Sequence, residues 1–328
     1  LMQSTEGKRP LHVVAGIIRD HERPSKILFT QRKKGQHLAE LWEIPGGKLE
    51  QGESRFEGLK RELEEEAGIQ VLAARPFQSI THAYKDKTVY LDVWEVSHYK
   101  GRAHGREGQE CRWLSLQELD QYSFPEADDP VLKALALPPR LLITPEFPSR
   151  LLDSYLDSFT SMMRQHRYPL IQFRSHRLSD RNYLSTAKEL HIICQQYQAE
   201  IIINRPELKS YQSRGYDTFQ RRHLNSTILN EQKSNPFESG VKTSASCHDL
   251  GELKKAAIFN CDFALLSAVK VTPSHPGAAA TGWYRFGQIA AQSKIPLYAL
   301  GGVKRKDFTA ARYHAAIGVA GISDFWKI

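Results

Sequence analysis

The stretch GGKLEQGESRFEGLKRELEEEAGI, residues 46–69, decides how the first half of the chain is read. After Ser54, Phe56, Leu59 and Leu63 recur at helical spacing and Gly68 is a stop signal, so a helix is expected over 54–68. Glu62, Glu65 and Glu66 lie three and four positions apart and project from one face of that helix. Like charges so placed repel. A solvated helix face would intersperse basic residues, and Lys60 and Arg61 supply only a little of this. Hard carboxylate oxygens on a rigid helix are, by contrast, the donors that Mg²⁺ or Mn²⁺ takes when it neutralises a pyrophosphate.

Strands flank this helix. LHVVAGII (11–18), KILFTQR (26–32) and the alternating TVYLDVWEVSHY (88–99) carry the β-branched and aromatic residues of half-buried strands, which makes an α+β domain that ends near ALALPPR (134–140). Beyond it the rhythm changes. Eight short apolar runs, at 141–144, 170–174, 200–204, 223–226, 241–246, 262–269, 296–302 and 315–321, are mostly separated by helix-length stretches. Parallel strands with helical crossovers follow, and eight such units predict an α/β (β/α)8 barrel, with an open doubly wound sheet as the alternative. Two domains are expected, residues 1–137 and 138–328.

Composition narrows the function classes. At 41% hydrophobic and 25% charged residues the chain falls among globular proteins. No apolar run is long enough to span a bilayer, LMQSTEGKRP lacks the apolar core of a signal peptide, and Cys111, Cys194, Cys247 and Cys261 form no CxxC pair. A reducing cytoplasm without membrane attachment is the expectation. The net charge of +8 is uneven: residues 1–137 carry 20 basic and 22 acidic side chains, net −2, and the remainder carries 25 and 15, net +10. A basic second half favours anionic partners. No zinc-finger spacing, basic block or RNA-binding aromatic motif accompanies the charge, so phosphorylated metabolites are favoured over nucleic acid.

With Gly47, Glu53, Arg61-Glu62-Leu63, Glu65-Glu66 and Gly68-Ile69 at their spacing, the stretch resembles the signature of the Nudix hydrolases, and the domain from LHVVAGIIRD to SFPEADDPVLKAL is similar to the MutT-type members that destroy 8-oxo-dGTP. The resemblance implies a Nudix fold, an α/β/α sandwich. It also implies a divalent metal, Mg²⁺ or Mn²⁺, held by Glu62, Glu65, Glu66, Gly46 of WEIPGGK and the distal Glu107. Glu53 and Arg61 fix loop and helix, Glu62 is the candidate general base, and Arg32, Lys48, Lys87, Phe124 and Asp128 are the candidate substrate contacts. The implied reaction is water attack within a nucleoside triphosphate, giving monophosphate and pyrophosphate. FPEAD departs from the family's FPPAN. Asp128 stands where an Asn reads oxidised guanine, and an ionised Asp accepts a hydrogen bond but cannot donate one, so a broadened base preference is expected.

The second half resembles the thiamine phosphate synthase and TenI barrels through QFR (172–174), IIIN (201–204), HL (223–224), SASCH (244–248), TPSHPG (272–277), ALGGV (299–303) and GIS (321–323). Gln172, Arg174, Asn204, Ser246, Gly301, Gly302 and Ser323 are the ligand positions so implied, with backbone N–H groups at the last three cradling phosphate. The family's basic and acidic clamp is altered. His176, Arg205, Ile228 and His275 stand where a lysine, two aspartates and a lysine belong, and Ala268 stands near the sixth strand where the tautomerases use a histidine. The expected whole is a nucleotide-sanitising hydrolase joined to a synthase-inactive TIM barrel that binds a phosphorylated, thiamine-related ligand. The competing expectations are hydrolysis of thiamine pyrophosphate or an analogue, and a sensor that does not hydrolyse.

Overall fold

The computed structural model describes residues 10–33, 35, 38–106, 108–212, 215–272 and 280–327. The chain divides into two compact units, residues 1–136 and 137–328. In the first, β1 (Leu11–Ile18), β2 (Lys26–Gln31), β3 (Trp42–Glu43) and β4 (Gly46–Lys48) precede α1 (Arg55–Ala67), followed by β5 (Gln70–Ala83), β6 (Thr88–Lys100), β7 (Cys111–Ser115) and α2 (Asp129–Leu135). They form a four-stranded sheet, β4-β1-β6-β5, and a three-stranded sheet, β3-β2-β7. Parallel pairing of β1 with β6 sets Val14 beside Asp92 and Gly16 beside Trp94.

The expected helix runs between the residues that should bound it. Ser54 is its N-cap, with the Ser54 hydroxyl accepting from Glu57 N–H and the Glu57 carboxylate accepting from Ser54 N–H, and Gly68 closes it with φ of 66°. Leu59, Leu63 and Ala67 turn inward onto Val14, Ile18, Trp94 and Val96, which fixes the face that α1 buries. The sequence pattern gives no warning of β5. Pro76 and the Ala73-Ala74 pair break its alternation, and irregularities between Val71 and Ala74 and between Pro76 and Gln78 absorb them while the antiparallel pairing with β6 continues.

In the second unit β8 (Arg140–Ile143), β9 (Leu170–Arg174), β10 (Glu200–Asn204), β11 (Arg221–Leu224), β12 (Lys242–Cys247), β13 (Phe263–Leu266), β14 (Leu297–Ala299) and β15 (Gly318–Gly321) close into a parallel barrel. The doubly wound alternative is excluded by the pairing of β15 with β8. The crossovers are α3 (Leu152–His166), α4 (Asp180–Gln196), α5 (Ser226–Glu231), α6 (Leu250–Ile258), α7 (Gly282–Ala290) and α8 (Phe308–Tyr313), with α9 (Ser323–Trp326) after the last strand. A single short 3-10 turn, Leu208–Gln212, replaces a helix between β10 and β11 among the described residues. Ile171, Phe173, Ile201, Ile203, Ala245 and Cys247 join the core shared with the helices, so by strand alternation Gln172, Arg174, Asn204, His223, Ser244 and Ser246 are left for the barrel interior. No described helix is long and apolar enough to cross a membrane.

Candidate active site

Helix α1 brings its carboxylates to the loop that opens β4. Arg61 is the hub. Its Nε donates to Glu53 Oε1 at 2.7 Å, Nη2 to Glu53 Oε2 and to the Lys48 carbonyl at 3.0 Å each, and Nη1 to Glu62 Oε1 at 2.9 Å and Glu65 Oε2 at 3.1 Å. The Arg61 contacts hold the Glu53 carboxyl at about 2, below the usual glutamate range. Burial pushes Glu62 the other way, against the pull of Arg61. Glu66 Oε2 accepts the Gly46 N–H at 3.0 Å, while Glu65 is exposed.

Gly47 explains how loop and helix come so close. A Cβ there would lie 2.2 Å from Glu62 Oε2 and 2.4 Å from its carboxyl carbon, so any side chain would displace that carboxylate. The donor set suits a hard divalent cation: three carboxylates on adjacent turns of one helix, opposite an uncluttered loop. Among the described residues no three acidic, histidine or cysteine side chains already converge on a point, and Arg61 Nη1 bridges Glu62 and Glu65. Glu107 falls outside the described residues, and so does His275 of the barrel.

The same loop reaches a second group. Glu43 pairs with Arg32, and Ile44 N–H donates to Asp128, so residues 43–48 touch both the glutamates of α1 and the FPEAD turn. Asp128 is 6% exposed, and its Oδ2 is buried with no hydrogen-bond partner. Burial first, and the Glu43 charge second, push its pKa well above the aspartate range against the pull of Arg32. Burial also raises Tyr84, with Asp128 contributing. Sequence reading singles out neither Glu43 nor Tyr84, since the chain segments that carry them meet only in the folded sheet. Lys48 is exposed, and Lys87 sits half-buried in the tight turn between β5 and β6. Phe124 packs edge-on against Phe29 at 5.3 Å and lines a cavity of about 500 Å³ with Leu119, Tyr122 and Leu132. None of the α1 glutamates lines that cavity.

In the barrel, His223 is wholly buried with Nδ1 2.9 Å from Ser244 Oγ and Nε2 2.8 Å from Ser246 Oγ. Burial, helped by Arg174, lowers its pKa to about 3, so the imidazole is neutral and one serine must donate to it while the other accepts. Gln172 is 1% exposed, with both amide atoms unpartnered. Arg174 Nε donates to His176 Nε2 at 2.9 Å, and Asn204 is buried at the end of β10. Gly301 and Gly302 follow β14 with φ of 90° and 66°, and Ser323 follows β15 in an exposed position.

Arg205, by contrast, turns from the barrel interior into the helix layer, where it is buried. It pairs with Asp180, stacks 4.0 Å over Tyr183 and donates to the Ser175 carbonyl, which binds β10 to the loop before α4. Ile228 is buried in the helix core. An arginine and an isoleucine so engaged provide no side-chain oxygen donors for Mg²⁺ at these two positions.

Residues 14–134 match the NUDIX domain family and residues 141–325 the thiamine monophosphate synthase family. The chain belongs to the Nudix family through its first unit and to the thiamine monophosphate synthase family through its second. It is 35% identical over 127 residues to the 8-oxo-dGTP diphosphatase of Escherichia coli (strain K12), covering 39% of this chain and 97% of that one. It is 38% identical over 124 residues to the CTP pyrophosphohydrolase of the same organism, covering 38% and 90%. A solved thiamine phosphate pyrophosphorylase from Pyrococcus furiosus matches 56% of this chain and 85% of its own at 19% identity and a TM-score of 0.45.

The state of Asp128 is measurable as stability. Its pKa is raised in the folded chain, so the contribution it makes below the ordinary aspartate range is lost as pH rises towards the folded value. Asn is isosteric and does not titrate. Asp128→Asn should therefore raise the melting temperature at pH 8 and converge on the parent near pH 4, of the order of the unfolded aspartate pKa; a gain independent of pH would mean that Asp128 is ionised in the folded chain.

Proposed function

We propose that the first unit is a divalent-metal-dependent nucleoside triphosphate pyrophosphohydrolase acting on oxidised nucleotides such as 8-oxo-dGTP, releasing the monophosphate and pyrophosphate. The observation that carries this reading is the placing of Glu62, Glu65 and Glu66 on one helix, against a loop whose Gly47 leaves room for a carboxylate. Family membership and the similarity to an 8-oxo-dGTP diphosphatase support it. Mg²⁺, or Mn²⁺ in its place, would be held by Glu62, Glu65 and Glu66 with the Gly46 carbonyl and Glu107, and when bound it supplies charge neutralisation and an acidified water. Glu62 would receive the water's proton, a role favoured by the burial that raises its pKa above the usual glutamate range. Arg61 and Glu53 hold loop and helix together.

Base recognition falls to the pocket of Arg32, Tyr84 and Asp128, with Lys48 and Lys87 on the phosphates and Phe124 behind the turn. A protonated Asp128 offers an O–H donor and a carbonyl acceptor, the pair that an Asn amide offers and that O6 and N7–H of 8-oxoguanine require. Once ionised it accepts only, which favours bases bearing an amino group. The broadened base preference is thus a matter of protonation. The cysteines are all free and support a reducing cytoplasm.

The second unit binds a phosphorylated, thiamine-related ligand through Gln172, Arg174, Asn204, Ser246, Gly301, Gly302 and Ser323 without synthase turnover, with residues 1–137 and 138–328 as the two domains. Arg205 and Ile228 in place of the metal carboxylates support this.

With Mg²⁺ present, the full chain should hydrolyse 8-oxo-dGTP in preference to dGTP, CTP and thiamine pyrophosphate. Glu66→Gln should lower turnover by roughly 100-fold or more with no loss of stability, because one fewer carboxylate relieves repulsion in the free protein. Full activity of that variant, or activity in excess chelator, would sink the metal assignment. In a coupled assay the full chain should form no thiamine phosphate from the pyrimidine pyrophosphate and thiazole phosphate, while calorimetry detects thiamine phosphate binding; robust synthesis would overturn the reading of the barrel.

A further inference from the structure

The sheet face under α1 is largely apolar. Val14, Ile18, Trp94 and Val96 pack against Leu59 and Leu63, and strand alternation puts Asp92 of β6 on that same face. Asp92 has no exposed surface. A carboxylate in such a setting carries a heavy desolvation penalty unless it is paired and hydrogen-bonded. The partner comes from the helix. Arg55, the first residue of α1, closes on it as a fork, with Nε on Oδ2 and Nη2 on Oδ1 at 2.5 Å, while the Ser79 hydroxyl donates to Oδ1 at 3.2 Å. The guanidinium also lies 5.2 Å over the Trp94 ring, and His12 Nε2 stands 3.6 Å from Oδ2.

The place of Arg55 along the helix gives this pair its consequence. Arg55, Leu59, Glu62 and Glu66 are spaced four, three and four apart, so they lie within about 60° of one another around the axis. The apolar contacts of Leu59 and Leu63 hold α1 on the sheet but are not directional. A bidentate guanidinium–carboxylate pair is directional. It fixes the rotation of α1 at its first turn, as the Gly46 N–H to Glu66 bond does at its last. A rotation of about 20° would carry a carboxylate at the end of a glutamate side chain by some 2 Å, and misplacements of about 1 Å already cost catalysis on the order of a hundredfold.

We propose that Arg55 and Asp92 are positioning residues of the hydrolase: a buried fork that sets the rotation of the signature helix, and through it the place of Glu62 and Glu66. The inference rests on reading those glutamates as metal-bearing.

The test is the double variant Arg55→Met/Asp92→Leu in the full chain, since an apolar replacement of a buried pair generally preserves stability. Metal-free protein is titrated with Mn²⁺, with free ion followed by electron paramagnetic resonance, beside steady-state kinetics on 8-oxo-dGTP and a melting curve. The expected result is a melting temperature near that of the parent, a Mn²⁺ dissociation constant raised at least fivefold, kcat reduced at least tenfold and KM within about threefold. Arg55→Lys, which keeps the charge but not the fork, should fall between the two and remain folded, so it decides the matter if the double variant does not fold. A parent chain that binds no Mn²⁺ overturns both the anchor and the hydrolase reading. Mn²⁺ bound equally well by the parent and a folded variant, with unchanged kcat, overturns the anchor alone.

Discussion

The first unit depends on a guanidinium set among carboxylates. Three glutamates on one helix face, with Glu53 beside them, repel one another, and the fold tolerates them because Arg61 reaches Glu53, Glu62, Glu65 and the Lys48 carbonyl at once. That side chain does more than neutralise charge. Its planar fork links the loop before α1, the helix and β4 into one piece, which a lysine could not do. Gly47, with no Cβ to intrude on Glu62, lets the pieces close. The negative field that would draw in a cation and the rigidity that would orient it therefore come from the same few residues.

Burial sets the remaining chemistry in both units. Asp128 is driven towards its neutral form by loss of solvent and by Glu43, and His223 is kept neutral by a still deeper burial. In its neutral form each group both donates and accepts and carries no charge. The neutral His223 is also too weak a base to activate Ser246, even though its Nε2 is 2.8 Å from that hydroxyl. Arg174 contacts His176, and Arg205 is engaged by Asp180 and Tyr183.

The parts of this arrangement that were legible in the sequence are those with a period. Helix α1, its Gly68 stop and its acidic face follow from residue type and spacing, and the eight apolar runs mark the barrel strands. β5 was hidden because Pro76 interrupts alternation, and β3 and β4, two and three residues long, are too short to show a period. Asp92 is one of two acids in its strand, with Glu95, and its partner was hidden, since Arg55 is 37 residues away and nothing local joins them. The direction of Arg205 was equally hidden: it lies just past the end of β10, where its turn into the helix layer depends on Asp180 and Tyr183 of α4. Glu43 and Tyr84 belong with Asp128 only because segments from three parts of the chain meet there.

The position of bond cleavage tests the account most directly. Phosphorus NMR of the products formed from 8-oxo-dGTP by the full chain with Mg²⁺ distinguishes two outcomes. The account predicts equal amounts of pyrophosphate and 8-oxo-dGMP from the first turnover onward. Orthophosphate with the nucleoside diphosphate would contradict it, because the metal-bearing helix would then direct water to the terminal phosphate, and the chain would not be a pyrophosphohydrolase.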